Sequence, residues 1–282
     1  MTFEFSSVAK TPPTVLIFAA SDPTGGAGIQ ADIMTVSSLG CHPITVLTAL
    51  TAQNTNGVEG IFTVDEHIVN AQARMVLEDM SISAIKLGVL GSVEAVNVVH
   101  RILLDYPKIP VVWDPVLLSG RGDTLANNEV WDCMCDLLLP KARLVTPNTH
   151  EMLHLAFDEE PPEDYHDWSE AARYILGSGC EYLLLTGTHL QTPQVHNYLY
   201  DKKGLVNKSS WERLPGSYHG SGCTLSSAIA AGLALGWDMK RAVMEGQNVT
   251  WKSLKYGFRL GMGQFIPDRF YALRAPLPSD VH

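Results

Sequence analysis

The segment TVLIFAASDPTGGAGIQADIMTVSSLG, residues 14–40, decides the architecture of this chain. Its first part, TVLIFAA, is an apolar and β-prone run that leads into the glycine turn SDPTGGAG. The stretch IQADIMTVSSLG that follows carries apolar residues at helical spacing and ends at Gly40. A buried strand, a glycine turn and a helix in this order predict the first unit of a mostly parallel sheet.

The same alternation of strands and helices continues along the chain. Apolar runs such as ITVLTAL, AIKLGVL and EYLLLTG are separated by helical patterns such as EHIVNAQARMVLEDM and VEAVNVVHRILLDY. This pattern is typical of an α/β fold with a mostly parallel central sheet and helices on both faces. The segment around DKKG breaks the alternation and predicts an antiparallel edge hairpin near residues 195–214, with two helices after it.

The length and the connections favour one folding unit. The chain has 282 residues, which is enough to bury a sizeable core, and no linker is long enough to separate two domains. We therefore expect residues 1–282 to form a single domain, with residues 1–12 as a flexible N-terminus. The acidic stretch FDEEPPEDYHDW predicts a surface loop.

Composition limits the partners and the compartment. A net charge of −10 argues against binding to nucleic acid or to an anionic membrane surface, although one local pocket can still be positive. No stretch approaches the ~18–20 apolar residues of a membrane span. The five cysteines are odd in number and irregular in spacing, which indicates free thiols in a reducing compartment, so we predict a cytoplasmic protein.

The stretch with the strongest chemical signal is HGSGCTLSSAIAAGLALG, residues 219–236. Gly220 and Gly222 flank Ser221 just before a helix, and such a turn presents backbone N–H groups that bind anions. Cys223 lies at the positive helix end, where the pKa of a thiol is typically lowered. A base beside an anion hole suits phosphoryl transfer. The alternative is a plain glycine turn followed by a buried cysteine.

Other polar residues follow predicted strands, where ligands bind in open α/β sheets. Gln53 in LTAQNTNGV offers a donor and an acceptor, which match the edge of a nitrogen heterocycle. Asp114 and Asn148 end their strands in the same way. The glycines of SDPTGGAGIQAD have neither dinucleotide-binding nor P-loop spacing, so this turn is either a ligand loop or an ordinary turn.

Residues 150–154, HEMLH, match the zinc-peptidase pattern H-E-x-x-H. On a helix, His150 and His154 would share a face, and Glu170 is the one well-spaced carboxylate available as a third ligand. The same stretch is also N-x-x-E after a strand, from Asn148 to Glu151. A five-residue pattern arises easily by chance, so we favour the second interpretation.

The residues as a set resemble a known family. AASDPTGGAGIQADIMTVSSLG, LTALTAQNTNGV, WDPV, VTPN with its following Glu, and HGSGCTLSSAIAAGLALG occur in the order found in the hydroxymethylpyrimidine/phosphomethylpyrimidine kinases of thiamine biosynthesis. These kinases belong to the ribokinase-like superfamily. The resemblance runs from about Val15 to Pro267. It implies two phosphorylations by ATP and Mg²⁺ of an aminopyrimidine substrate, first on its hydroxymethyl group and then on the monophosphate, and it implies a homodimer.

The resemblance also implies roles for individual residues. Cys223 would be the catalytic base, and its neighbours would form the anion hole for the transferring phosphate, namely Gly220, Ser221 and Gly222. The aminopyrimidine would be hydrogen-bonded by Gln53 and Asp32, with Ala20 and Val89 lining the pocket in place of the family's usual Gly and Met. The ATP phosphates and Mg²⁺ would lie near Asp114, Asn148, Glu151 and Thr186, with Asp114 and Glu151 as the metal ligands.

The chain departs from the family pattern at three lysines. These are replaced within Ser119–Asp123, Thr186–His189 and Gly261–Pro267. Because such lysines normally neutralise nucleotide phosphates, their absence bears on ATP affinity, and Arg121 or the retained Lys86 could supply positive charge. Two alternatives follow: a pyridoxal or pyridoxine kinase of the same superfamily, and a degenerate kinase that binds a pyrimidine without turnover.

Overall fold

A computed structural model of the protein describes residues 11–118, 122–157, 167–187 and 192–274. In this part of the chain a nine-stranded sheet has the order β3-β2-β1-β4-β5-β6-β7-β8-β9. The strands β1 to β9 are Thr14–Ser21, His42–Asn54, Gly57–Thr63, Ala84–Leu87, Val111–Trp113, Leu144–Val145, Tyr182–Thr186, Gln194–Asp201 and Gly204–Glu212. The six central strands are parallel, whereas β3 at one edge and β8 and β9 at the other are joined by antiparallel pairing.

Eight α-helices pack on the sheet in the same part of the chain. Helices α1 to α8 are Gly28–Ser38, Glu66–Asp79, Val93–Asp105, Asn128–Leu137, Thr149–Ala156, Trp168–Gly177, Ser221–Ala234 and Met239–Lys255, with a 3₁₀ turn at Leu139–Lys141. Most begin at an Asp, Ser or Asn whose side chain accepts a backbone N–H of the first turn. Helices α1 and α7 have no such side-chain cap.

Alternate residues of β1 enter two different hydrophobic clusters. Leu16 and Phe18 pack with α2 to α6 on one face of the sheet, whereas Val15 and Ile17 pack with α1, α7 and α8 on the other. All four side chains are completely buried. Burial on both faces explains why the strand is a continuous apolar run and has no polar alternation.

The predicted fold class is confirmed, including the edge hairpin, which is formed by β8 and β9. The sequence interpretation missed β3. The strand β2 continues past the predicted ITVLTAL through Asn54 and turns back antiparallel into β3, so Gln53 belongs to a strand and not to a loop beyond it.

Several predictions fall on residues that the structure does not describe. The N-terminus predicted to be flexible falls mostly on residues 1–10, Arg121 on 119–121, the stretch predicted to be an acidic loop mostly on 158–166, and part of one replaced lysine motif on 188–191. The single-domain organisation stays a prediction. In the described ranges, no helix combines the length and the apolar character needed to cross a membrane.

Candidate active site

A cavity of about 730 Å³ lies beyond the carboxyl ends of the parallel strands. Its volume is within the range that holds a small ligand. Eleven of the twelve predicted site residues line it: Ala20, Gln53, Val89, Asp114, Asn148, Glu151, Thr186, Gly220, Ser221, Gly222 and Cys223. The exception is Asp32. The rule that ligands bind where parallel strands end therefore located the cavity correctly.

The glycine turn at the start of α7 is shaped by Gly220. This residue is the N-cap, with a left-handed backbone at φ 77°, and a Cβ here would collide with the carbonyl oxygen of Gly26. Only glycine adopts that conformation at this close approach without strain. Because no side chain caps the helix, the N–H groups of its first turn remain available to an anion at the positive end of the helix dipole.

A buried hydrogen-bond network joins the α7 turn to the turn between β1 and α1. The Nε2 atom of His219 lies 2.8 Å from Oδ2 of Asp22, and that carboxylate also accepts the backbone N–H groups of Thr24 at 2.8 Å and Ala27 at 2.7 Å. Burial alone would raise the pKa of Asp22, but these hydrogen bonds outweigh it and hold the pKa below its ordinary value. The ionised carboxylate thus fixes both glycine turns against each other.

The pKa of Cys223 differs from the sequence-based expectation. The thiol lies half-buried in the cavity wall, and burial raises its pKa to about 12. The positive charge of Lys86 opposes this rise, whereas the carboxylates of Asp114 and Asp32 add to it. The expectation of a lowered pKa was wrong for the protein without ligands, because desolvation and two nearby carboxylates outweigh the helix end.

At the cavity floor, Lys86, which is part of the lining, forms a buried ion pair with Asp32, which is not. Both side chains are fully inaccessible, with Nζ of Lys86 3.0 Å from Oδ2 of Asp32, and Oδ1 accepts the hydroxyl of Ser227 at 2.7 Å. Burial alone would lower the pKa of Lys86, but the charge of Asp32 outweighs it and the pKa is raised, so the ammonium is retained. Asp32 does not reach the cavity, and the direct pyrimidine contact predicted for it is not available in this arrangement.

The three residues predicted to contact the pyrimidine and found in the cavity lining are Ala20, Gln53 and Val89. The pairing of β2 with β3 shifts register between Ala52 and Gln53, and such bulges change the direction in which a side chain points. The carbonyl oxygen of Val89 accepts the hydroxyl of Thr48 at 2.6 Å, which fixes the loop after β4. The pocket therefore has small apolar walls and one amide that both donates and accepts.

The N-x-x-E motif forms a capping box at the start of α5. The backbone N–H of Glu151 donates to Oδ1 of Asn148 at 3.0 Å, and the N–H of Asn148 donates to Oε2 of Glu151 at 2.9 Å. Burial, together with the charge of Asp114, raises the pKa of Glu151 to about 8. Burial also raises the pKa of Asp114, which accepts the hydroxyl of Ser226 at 3.1 Å.

These two carboxylates fit a divalent cation. Asp114 and Glu151 both line the cavity and are nearly inaccessible, and burial together with the charge of Asp114 raises the pKa of Glu151, so two hard oxygen donors face the same cavity. A bound cation would offset the carboxylate charge that contributes to this rise.

The wall formed by β8, β9 and α8 contains a cluster of neutral side chains that was not predicted. The side-chain oxygen of Gln247 accepts three donors, namely Asn197 at 2.8 Å, Ser209 at 2.5 Å and Trp211 at 2.9 Å. Trp211 stacks obliquely on Trp251, with ring centroids 6.3 Å apart. Both rings line the cavity and give it a flat aromatic surface.

The structure does not support the zinc-peptidase alternative. His150 and His154 are exposed on α5, and His154 makes an edge contact with the ring of Trp131. Glu170 lies at the start of α6. Across the ranges that the structure describes, no three His, Cys, Asp or Glu side chains are grouped as a metal site would require.

Three polar residues of this region have no definite role in the sequence analysis. His219 appears there only as part of a motif, Lys86 only as one possible source of positive charge, and Arg269 does not appear. Arg269 is 3% exposed and contacts both glycine turns. The sequence Phe-Ile-Pro-Asp-Arg-Phe gives one signal that Arg269 is buried, because a charged pair stands between apolar residues. The sequence does not show what Arg269 contacts, since Gly26 lies more than 240 positions away.

Comparison with known proteins shows the family of this chain. The family model described as phosphomethylpyrimidine kinase matches residues 22–268, most of the chain. The chain belongs to the phosphomethylpyrimidine kinase family. A hydroxymethylpyrimidine/phosphomethylpyrimidine kinase of Streptomyces coelicolor is 39% identical over 267 residues, covering 93% of this chain and 96% of the relative. The predicted family, the kinase activity and the link to thiamine biosynthesis are thereby confirmed.

Solved structures of two kinds of kinase share the phosphomethylpyrimidine kinase fold of this chain. The phosphomethylpyrimidine kinase of Clostridium difficile has a TM-score of 0.72 at 33% identity and covers 84% of this chain and 96% of its own. The pyridoxal kinase of Staphylococcus aureus, in complex with AMP-PCP and pyridoxal, has a TM-score of 0.84 at 26% identity and covers 94% and 96%. Membership of a kinase family implies ATP as the phosphoryl donor.

Proposed function

We propose that the protein phosphorylates 4-amino-5-hydroxymethyl-2-methylpyrimidine and then its monophosphate, with MgATP as donor. The observation that carries this proposal is that one cavity holds the Cys223 thiol, the uncapped start of α7 and the Gln53 amide. A heterocycle held at Gln53 presents its hydroxymethyl group to Sγ. The phosphate to be transferred then lies against the N–H groups of the Gly220–Cys223 turn.

In the first step Cys223 acts as its thiolate: Sγ takes the proton of the hydroxymethyl group and becomes the thiol, while the hydroxymethyl oxygen attacks the γ-phosphorus. The new O–P bond forms as the bond to the β-phosphate oxygen breaks, which leaves ADP. The α7 turn stabilises charge on the transferring oxygens. In the second step the acceptor is a phosphate oxygen that is already anionic at neutral pH, so this step needs no base.

The cation site is assigned to Asp114 and Glu151. Bound there, Mg²⁺ would neutralise phosphate charge and offset the carboxylate charge that raises the pKa of Cys223. Asp114 is held for this role by Ser226, and Glu151 by the capping box with Asn148. Thr186 ends β7 beside Asn148 and faces the same cavity, which suits contact with the nucleotide phosphates.

The test measures both steps separately. Purified protein is incubated with MgATP and either the hydroxymethylpyrimidine or its monophosphate, and products are identified by mass spectrometry. Cys223→Ala is expected to slow the first step by about 10²–10⁴-fold and the second step far less, since only the first removes a proton. Cys180→Ala, which truncates a buried thiol outside the cavity, is the matched control. Equal losses in both steps would refute the base role.

Pyridoxal is the second candidate substrate. The specific observation in its favour is the closer structural similarity to the Staphylococcus aureus pyridoxal kinase, with a TM-score of 0.84 against 0.72 for the Clostridium difficile enzyme. The greater sequence identity to the pyrimidine kinases favours the first candidate. If the same assay shows phosphorylation of pyridoxal and none of the pyrimidine, the protein is a pyridoxal kinase.

Three further properties belong to this proposal. We infer a homodimer and a cytoplasmic location, with no nucleic-acid partner. The net charge of −10 and the free cysteines support the last two. Light scattering of the purified protein tests the dimer directly, and a monomer at enzyme concentrations above those used in the assay would exclude it.

A further inference from the structure

Arg269 is a buried cation whose contacts are all neutral. Its guanidinium donates to the carbonyl oxygens of Gly26 at 2.6 Å and Gly25 at 3.3 Å in the first glycine turn. In the second turn it reaches the carbonyl oxygen of Gly220 at 3.5 Å and Oγ1 of Thr224 at 3.1 Å. The Nη2 group donates to both turns, so the guanidinium joins them.

The arginine forms no salt bridge among the residues that the structure describes. The carboxylate of the adjacent Asp268 pairs instead with Arg274, at 2.8 Å. Burial lowers the pKa of Arg269 to about 10, although negative groups of the site, including Asp32 and Asp22, act to raise it. The guanidinium therefore stays positive at neutral pH. A buried charge without a direct counterion is costly, and proteins normally pair it.

The position of the charge makes the arrangement more costly still. Arg269 contacts Gly220 and Thr224, the N-cap and first turn of α7, where the helix dipole is already positive. Two positive features therefore converge on one turn. An anion bound on the cavity side of that turn would stabilise both, and phosphate is the anion that the proposed reaction brings there.

We propose that Arg269 is a positioning residue for phosphoryl transfer. It fixes the carbonyl oxygens of the two glycine turns so that the N–H groups of Ser221 to Cys223 point into the cavity, and it places positive charge behind them. It is not among the cavity-lining residues, so it acts through the backbone and not by touching the substrate. This inference rests on the proposed function, and it assigns buried positive charge to a chain that lacks three lysines of its family.

The main experiment compares Arg269→Met with Arg269→Lys. We expect Arg269→Met to lower kcat of the hydroxymethyl step by about 10²-fold, while KM of the pyrimidine changes less than about threefold, because the lost interaction serves the transferring phosphate. Arg269→Lys keeps the charge but not the planar fork, and should recover part of the loss. The control is Arg74→Met, which removes an arginine paired with Asp105 on the surface.

Two further measurements separate positioning from simple stability. Thr224→Val removes one neutral acceptor of the arginine without creating a large cavity, and should lower kcat in the same direction by a smaller factor. Binding of inorganic phosphate, measured by calorimetry in wild type, Arg269→Lys and Thr224→Val, follows the anion site without turnover. Thermal unfolding of every variant shows which of them are folded.

The outcomes are distinct. Loss of kcat with a preserved pyrimidine KM, partial recovery by lysine and weaker phosphate binding support the inference. Wild-type kcat in Arg269→Met overturns it. If Arg269→Met does not fold, wild-type kcat and phosphate affinity in both Arg269→Lys and Thr224→Val overturn it. Absence of pyrimidine turnover in the wild type refutes the proposed function. In that case phosphate binding alone tests Arg269, and the inference about Arg269 is refuted if the wild type binds no phosphate.

Discussion

Two walls of the cavity are built on different principles. The charged wall, formed by Asp22, Lys86, Asp114 and Cys223, is fixed by the buried ion pair of Lys86 with Asp32 and by the hydrogen bonds that the Asp22 carboxylate accepts. The neutral wall, formed by Asn197, Trp211, Gln247 and Trp251, is held by amide and indole hydrogen bonds and by ring stacking. Strands β5, β6 and β7 separate the two in the sheet.

The difference reflects what each wall has to do. Stabilising charge that develops during a reaction requires dipoles and charges already in position, because rearrangement would cost free energy at the moment of reaction. A wall that only contacts a ligand needs shape and flat surface. The charged wall should therefore be sensitive to substitutions in both stability and turnover, and the neutral wall mainly in ligand affinity.

The largest effect should come from breaking the buried ion pair. Lys86→Met leaves the Asp32 carboxylate buried without its cation, and we expect a loss of about 3–5 kcal/mol in the free energy of unfolding. The double variant Lys86→Met with Asp32→Asn removes both charges and should recover most of it, since Asn can still accept from Ser227. Urea denaturation measures each value. A double variant no more stable than Lys86→Met would show that the pair acts through something other than charge.

Next in size is the effect of a methyl group at the α7 turn. Gly220→Ala combines a left-handed backbone with a collision against Gly26, and should destabilise the fold by about 3 kcal/mol. Gly236→Ala is the matched control, because it has φ 81° but open space around a new Cβ, and should cost about 1 kcal/mol. Equal melting temperatures for the two variants would mean that the close approach of the turns does not matter.

On the neutral wall, Gln247→Ala removes the acceptor shared by Asn197, Ser209 and Trp211. The orphaned donors should cost about 1–3 kcal/mol of stability. If the neutral wall contacts the nucleotide, KM for ATP should rise about tenfold while kcat stays within about threefold. Steady-state kinetics at saturating pyrimidine decides this. A fall in kcat with unchanged KM for ATP would end the distinction between the walls.

The smallest effect at any single step in pH is a pH dependence of stability from Glu151. Its pKa is about 8 in the folded protein against an ordinary 4.5, so between these values the folded state keeps a proton that the unfolded state has released. This contribution is present below pH 4.5 and is lost as pH rises towards 8. Glu151→Gln removes it.

The metal-free wild type should therefore lose up to about 1.4 kcal/mol more stability per pH unit between pH 5 and 7.5 than Glu151→Gln. Guanidinium denaturation of both proteins across this range gives the comparison. If the free energy of unfolding changes with pH in the same way in both proteins, the proton retained by the folded state is not on Glu151.

Local patterns predicted the fold and most of the cavity. The segment from β1 to α1 and the start of α7 were found from apolar spacing and glycines, which are properties of neighbouring residues. The edge strand β3 was missed because its run, Gly57–Thr63, alternates weakly and takes its structure from pairing with β2. Its register shift is what directs Gln53.

Charged contacts were harder to predict, since they join residues far apart in the sequence. Asp32 was expected to contact the pyrimidine, but its carboxylate pairs with Lys86, 54 positions away, and does not line the cavity. The pKa of Cys223 was expected to fall, because a helix end is visible in the sequence, whereas burial and two distant carboxylates are not. Direction and depth of a side chain depend on packing that no local pattern encodes.

The contact between Arg269 and the first glycine turn has a consequence for biosynthesis. The ribosome releases residues 14–40 early, and the β1–α1 unit can pair with β2 long before residue 269 is added. The guanidinium that holds Gly25 and Gly26 follows them by 243 or more positions. A nascent chain can thus complete its sheet while its phosphate turn is still unclamped, and under the role proposed for Arg269, competence for phosphoryl transfer arrives only after that residue has been translated.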